Sequence, residues 1–236
     1  MYEPVIPKVL HQTWKSTDVP EHFAMLTETW KEHHPDWEYN LWTDKTNREF
    51  IGDYWPGFIA QYDSYTNNIQ RVDAVRYLIL LKFGGVYVDI DFECLMNIEP
   101  LLQGKECVFG LEPKEHAQRF SKDKIICNAF MASIPGHDFF AKIYENLSGV
   151  KLKDQNTVLD ILESTGPFLL SKAYEEYEQK QLITLLPPEL IYPLTIEDSR
   201  MVMAGDVTAA IEEKIMNSYA VHYFWGNWWE SIGIKD

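Results

Sequence analysis

Residues 83–93, FGGVYVDIDFE, constrain the fold of this chain more than any other stretch. A helical pattern ends at Gly84 and Gly85. A short apolar run follows and delivers two aspartates, Asp89 and Asp91, separated by Ile90. Side chains alternate faces along a strand, so the pattern predicts Asp89 and Asp91 on one side and Val86, Val88 and Ile90 on the other, in a core. Two carboxylates on one face resist burial, because each ion needs a partner. They suit a hard divalent cation that takes a few carboxylate oxygens and leaves positions for substrate phosphates. A bare D-x-D is equally a solvated strand end entering a turn.

The residues upstream tip the balance. Residues 67–82, NNIQRVDAVRYLILLK, carry Ile69, Val72, Val75 and Ile79 at helical spacing, which describes a core face. Asp73, Arg76 and Leu80 share a different face. Alone, Asp73 and Arg76 read as a helix-surface ion pair worth roughly a few tenths of a kcal/mol. Sixteen residues before Asp89, on the element feeding the same strand, they read as part of a site.

The stretch RVDAVRYLILLKFGGVYVDIDFECL resembles the D-x-D sugar-binding region of glycosyltransferase family 32. That family includes a yeast Golgi initiating mannosyltransferase and bacterial capsule enzymes, and the large clostridial glucosylating toxins share a related core. IPKVLHQTW (residues 6–14) is similar to the family's first strand. NAFMAS (128–133) with PGHDF (135–139) fits its middle, and HYFWGNWW (222–229) its closing motif. The resemblance implies an α/β, GT-A-like fold with a mixed, mostly parallel sheet flanked by helices. It implies one domain over residues 1–236, with a nucleotide-sugar half (1–135) and an acceptor-side half with a closing segment (136–236).

The implied reaction moves a hexose from a UDP- or GDP-linked sugar to a hydroxyl of a glycan or lipid-linked oligosaccharide. Retention of configuration, Mn²⁺ or Mg²⁺ dependence and a role in bacterial surface polysaccharide or capsule synthesis come with it. Asp91 would ligate the metal directly, and Asp89 would reach the ribose or bind metal through water. Arg76 would neutralise phosphate or hold the sugar, and Asp73 would accept hydrogen bonds from sugar hydroxyls. Asn128 would bond the donor sugar; the plain alternative is a bond to a neighbouring loop. Trp14, after Thr13 at the carboxyl end of the first strand, would stack on the nucleobase; the alternative is a half-buried packing residue. His222 would be a third protein ligand, with imidazole suiting Mn²⁺ better than Mg²⁺. Asn227 stands where the family has Ser before Trp228, offering an amide oxygen to the metal, and Trp228 would contact the phosphates. Thr165–Gly166–Pro167 opens a helix whose N-terminus would face sugar or phosphate.

Composition narrows the classes. A chain of 236 residues buries a proper core. The net charge of −15 argues against nucleic acid as partner, since binding that polyanion takes basic patches. A nucleotide diphosphate must then be held by local Arg or Lys, backbone N–H groups and a metal. Cys94, Cys107 and Cys127 lack metal-ligand spacing and suggest reduced thiols. The opening MYEPVIPK has no apolar signal core, and no run approaches the ~18 apolar residues of a membrane span. The expected setting is the bacterial cytoplasm, with peripheral contact at the inner face of the membrane.

Elsewhere the pattern predicts strands over 5–14, 37–42, 107–111 and 125–132, and helices over 20–34, 137–146 and 156–163. Thr43 and Asp44 cap a short helix. Residues 53–68 are aromatic and turn-rich, and 112–124 read as an exposed loop. Residues 184–188 and 189–193 read as edge strands or loops, and 199–217 are ambiguous. His11 reads as a satisfied core histidine. Residues 220–229 crowd His222 with tryptophans, and a mobile tail closing over the donor is expected. Two other classes remain. A haloacid-dehalogenase-type phosphohydrolase also places D-x-D after an apolar strand, yet near its N-terminus and followed by Thr or Val and Gly. A non-catalytic sugar-binding module would not need the acidic–Arg constellation.

Overall fold

The computed structural model describes residues 5–150 and 157–225. The chain runs β1 (Val9–Trp14), α1 (Glu21–His33), β2 (Glu38–Thr43), α2 (Asp44–Tyr54), α3 (Ile59–Ser64), α4 (Asn68–Phe83), β3 (Gly85–Val88), β4 (Phe92–Cys94), α5 (Glu99–Leu102), β5 (Cys107–Leu111), α6 (Lys114–Arg119) and β6 (Ile126–Ser133). It continues through α7 (Asp138–Gly149), α8 (Val158–Ser164), α9 (Pro167–Glu176), β7 (Ile183–Leu186), α10 (Pro188–Ile191), α11 (Ile196–Ala204), α12 (Ala209–Met216) and β8 (Ala220–His222).

The main sheet has the order β2-β1-β3-β6-β5-β7. Only β6 runs against its neighbours, so the sheet is mixed and mostly parallel. The chain leaves β1 towards β2 on one side and returns as β3 on the other. The carboxyl ends of β1 and β3 therefore flank a topological switch point, where open α/β sheets bind ligands. A separate antiparallel pair, β4 with β8, lies beyond β3.

Alternation along the strands sends side chains into two cores. Tyr87, Phe109 and Met131 pack with α4, α7 and α9 on one face. Val86, Val88, Val108, Phe130 and Ala132 pack with Trp30 and Tyr192 on the other. In α4 every residue from Asp73 to Leu80 is buried. The apolar stripe thus understates a helix covered all round. Ile69 and Val72 are the part-exposed members of that stripe, and they line a cleft.

The glycine pair has a steric cause. Gly84 and Gly85 have φ of 66° and 89°, a region costly for side-chain-bearing residues. A Cβ on Gly84 would lie 2.6 Å from Pro135 N, and one on Gly85 2.6 Å from Val9 O. α4 can therefore hand over to β3 only if both positions lack a side chain. Gly85→Ala is expected to cost at least ~2 kcal/mol, from strain plus the clash with β1. An unchanged denaturant midpoint would refute this account.

Several expectations are corrected. β1 starts at Val9 rather than residue 5. Residues 53–68 contain α3, and Phe58, Tyr62 and Tyr65 are core residues. Residues 112–124 are no exposed loop: α6 buries His116 and Ala117. Residues 189–191 belong to α10, and most of 199–217 belongs to α11 and α12, with Gly205 left-handed just after α11. Residues 220–225 are not a loose tail, because β8 pairs with β4 and Ala220 and Val221 are fully buried. Truncation from Ala220 would therefore open the core. His11 is a satisfied core histidine, bonded to Gly84 O and Trp42 Nε1; burial pushes its pKa down to about 4. Cys94, Cys107 and Cys127 are free and buried. No described helix is long and apolar enough to cross a membrane.

Candidate active site

The strand ends at Val88, and the chain turns at once. Asp89 N–H donates to Ala129 O (2.8 Å), and Phe92 N–H donates to Asp89 O (3.2 Å). Asp89 and Asp91 therefore sit on a turn and do not share a strand face. The turn brings both carboxylates to His222, on β8. Ligand atoms of Asp89, Asp91 and His222 all lie within 4.8 Å of one another.

Arg76 is the hub behind this cluster. Its side chain is 2% exposed and reaches Asp73 (Nη2 to Oδ1, 3.2 Å) and Asp89 (Nη1 to Oδ1, 3.2 Å). Nη1 also donates to Asn128 O (3.0 Å), and the guanidinium lies 4.7 Å from the Tyr87 ring centre. The surface ion pair expected of Asp73 and Arg76 alone is thus a buried triad with Asp89. Asp73 accepts further bonds from Asn128 Nδ2 (3.0 Å) and Thr165 Oγ1 (3.2 Å). Burial raises the Asp73 pKa to about 6, with Arg76 pulling it down and Asp89 pushing it up. A relay of hydroxyls fixes Asp89 from the other side: Tyr87 OH donates to Asp89 Oδ1 (2.8 Å), and Thr13 Oγ1 lies 2.8 Å from that hydroxyl.

Asp91 is held differently. His222 Nε2 lies 3.1 Å from its Oδ1, and Trp225 N–H donates to Oδ2 at 2.8 Å. Burial works against its ionisation, but His222 and the Trp225 N–H outweigh it and hold the carboxyl below its usual range. The His222 ring stacks on Phe92 at 4.5 Å and 12°, so its orientation is fixed. His222 Nδ1 is buried without a partner among the described residues. Two carboxylates and an imidazole this close form an oxygen-rich donor set for a hard or borderline divalent cation. The residues fit a metal, and Asp89, Asp91 and His222 would hold it.

Two clefts meet at this cluster. One, of about 360 Å³, is lined by Thr13, Trp14, Lys15, Phe23 and Val72 together with Arg76, Asp89, Asp91 and His222. The other, of about 590 Å³, shares Arg76, Asp89 and His222 and adds Asp73, Glu112, Asn128, Arg119, Arg200 and Phe168. Trp14 stands at the mouth of the first, its ring 5.0 Å from Phe23 and its Nε1 donating to Asp18 O. Trp14→Ala is expected to weaken nucleotide binding by ~1–3 kcal/mol, the range for base–aromatic stacking, while altering the chemical step less. Calorimetric titration with nucleotide diphosphate measures it, and unchanged affinity would make the ring a packing residue.

Asp73, Arg76, Asp89, Asp91, Asn128, Thr13, Trp14 and His222 are thus brought to one place. Asn227 and Trp228 lie outside the described residues. Asn128 bonds Asp73, and not a neighbouring loop. Tyr87, Thr165, Glu112 and the Trp225 N–H were missed as site groups. Tyr87 had a signal, since it precedes Asp89 by two residues, and its hydroxyl reaches that carboxylate at the strand end. Thr165 lay in the flagged helix start, but its hydroxyl serves Asp73. Trp225 acts through its backbone, which carries no sequence signal.

Residues 20–108 match the family model described as a glycosyltransferase sugar-binding region containing the DXD motif. Inositol phosphoceramide mannosyltransferase 2 of Schizosaccharomyces pombe is 38% identical over 178 residues, 75% of this chain and 49% of its own length. Inositol phosphoceramide mannosyltransferase 3 of the same organism is 40% identical over 166 residues, 70% and 44% respectively. The chain spans about half the length of the curated relatives it matches. The solved PaToxG glycosyltransferase superposes with a TM-score of 0.53 at 15% identity, covering 92% of this chain and 90% of that one.

The sheet order and the carboxylate cluster at its switch point define a GT-A-type glycosyltransferase fold. The chain belongs to the glycosyltransferases with the DXD sugar-binding region, the family 32 type.

Proposed function

We propose that this chain transfers a hexose from a nucleotide diphosphate sugar to a hydroxyl on the headgroup of an anionic lipid. One observation carries this reading. Asp89, Asp91 and His222 converge where two clefts meet, although His222 lies 131 positions from Asp91. The first cleft, with Trp14, Phe23 and Lys15, suits the nucleotide. The second takes the sugar and the acceptor.

A divalent cation at the cluster would supply charge neutralisation of the departing diphosphate. The imidazole favours Mn²⁺ over Mg²⁺. Arg76 is committed to Asp73 and Asp89, so it orients both carboxylates more than it grips phosphate. Asn128, held by Asp73, would meet the donor sugar. Retention of configuration belongs to this proposal through the family resemblance.

The acceptor class follows from two supports. The curated relatives are named for inositol phosphoceramide. The second cleft joins Arg119, itself paired with Glu197, and Arg200 to Phe120, Leu159, Leu162 and Phe168, a mix of charged and apolar wall that suits a polar headgroup with a lipid tail. This moves the proposed acceptor from a surface polysaccharide to a lipid. The proposed setting is the cytoplasmic face of a membrane, where free buried thiols stay reduced. The test is an assay of GDP- and UDP-linked hexoses with inositol phosphoceramide micelles, with Mn²⁺, Mg²⁺ or chelator, and with product anomers read by NMR. Release of phosphate from simple phosphoesters without sugar transfer would favour a phosphohydrolase instead.

A further inference from the structure

This inference rests on the functional reading above and concerns what orients the acceptor. Beyond the metal-type cluster, the second cleft offers few groups able to accept a hydrogen bond from an incoming hydroxyl. Asp73 has both oxygens engaged, by Asn128 and Arg76 on Oδ1 and by Thr165 on Oδ2. Asn128 spends its amide N–H on Asp73 and its backbone carbonyl on Arg76. His116 is buried with both ring nitrogens bonded.

Glu112 differs. It follows β5 directly, and its N–H donates to Ile125 O (3.0 Å), so its main chain is anchored. Its side chain is 12% exposed and lines the second cleft but not the first. Its Oε2 lies 2.9 Å from His116 Nδ1. His116 Nε2 accepts the Ile196 N–H (3.0 Å), and an accepting Nε2 leaves the proton on Nδ1. A main-chain amide of α11 thus sets the tautomer, and His116 donates to Glu112. The other side chain against this carboxyl is the thiol of Cys127, a weak donor beside the imidazole N–H. A largely buried carboxylate with one strong donor and one weak thiol donor gains when a hydroxyl donates to it.

We infer that Glu112 is a specificity-determining residue that accepts a hydrogen bond from a hydroxyl of the acceptor and so selects which neighbouring hydroxyl faces the donor sugar. The ligand class is a polyol, such as a sugar or an inositol ring. His116 is the positioning residue behind it. Arg119, paired with Glu197, and Arg200 line the same cleft.

Glu112→Gln is the informative variant. His116 Nδ1–H demands an oxygen, so the glutamine must turn its NH₂ to the cleft. The group facing the acceptor then changes from acceptor to donor at nearly constant shape. With inositol phosphoceramide as acceptor, the variant is expected to raise the acceptor KM about 10- to 100-fold and to broaden the mixture of linkages. Its calorimetric affinity for nucleotide diphosphate with Mn²⁺ should stay within about twofold, which certifies the fold. Wild-type protein offers an independent arm. Among deoxy-inositol analogues of the headgroup, one should lose a similar factor, and Glu112→Gln should add little to that loss. An acceptor KM and linkage pattern equal to wild type in Glu112→Gln, or equal loss for every deoxy analogue, would overturn the assignment. Failure of the wild-type protein itself to transfer to any acceptor would overturn the functional reading, and this inference with it.

Discussion

Replacing Arg76 with methionine is expected to abolish transfer and to destabilise the protein by about 3–5 kcal/mol. The guanidinium is fully buried between Asp73 and Asp89, and methionine fills similar volume without charge. The buried Asp73 carboxylate and the part-buried Asp89 carboxylate would then face each other without their shared cation. The effect should depend on pH with a definite sign. In the wild type, burial already raises the Asp73 pKa from 3.8 to about 6. A carboxyl whose folded pKa lies above its unfolded value binds more protons when folded. Its contribution is fully present below about 4 and is lost as the pH rises through about 6. Arg76 pulls both Asp73 and Asp89 down, so its removal moves that loss to higher pH. Urea midpoints at pH 5 and pH 8 read this directly. The variant should recover much of its lost stability at pH 5. A midpoint deficit independent of pH would mean that the triad is not the electrostatic unit described here.

Asp91→Asn is expected to lower turnover at least about 100-fold and to remove the stabilisation that Mn²⁺ confers on nucleotide binding. Asn keeps an oxygen for the Trp225 N–H, so the closing contact of residues 222–225 survives in part. Its charge is gone, and His222 loses its counter-ion. Breaking this buried pair should also lower stability, by a few kcal/mol at most. Calorimetry separates the two effects: nucleotide affinity with and without Mn²⁺ should become equal in the variant and differ in the wild type. Excess chelator should reproduce the loss of turnover in the wild type. Full activity in either condition would remove the metal from the reading.

The pattern of what was legible follows the range of the interactions. α4, the glycine break and β3 are written in local periodicity and in backbone conformations that favour glycine, so these elements are legible from the chain alone, while the burial of Asp73 and Arg76 is not. Thr43 was recognisable as a cap because its partner, Thr46, lies three residues away. Asn128 stood out as an amide in an otherwise apolar strand. The exposed loop assigned to 112–124 failed because a six-residue helix with two buried positions has too few apolar residues for a period to emerge. His116 is buried there only because Glu112 and the Ile196 N–H satisfy both its nitrogens, and Ile196 lies 80 positions away.

By itself the sequence determined the secondary elements around the D-x-D, the class of sheet they enter and the residue types that a cation and a diphosphate require. Those are consequences of neighbours within about one helical turn or one strand. Only the tertiary structure decided how the carboxylates are used. It placed Asp89 and Asp91 on a turn instead of a strand face and made Arg76 a buried hub. It closed β8 onto β4, so that His222 and the Trp225 amide meet Asp91 from more than 130 positions away. A buried charge is tolerated only with partners, and partners so distant are chosen by the packing of the whole chain.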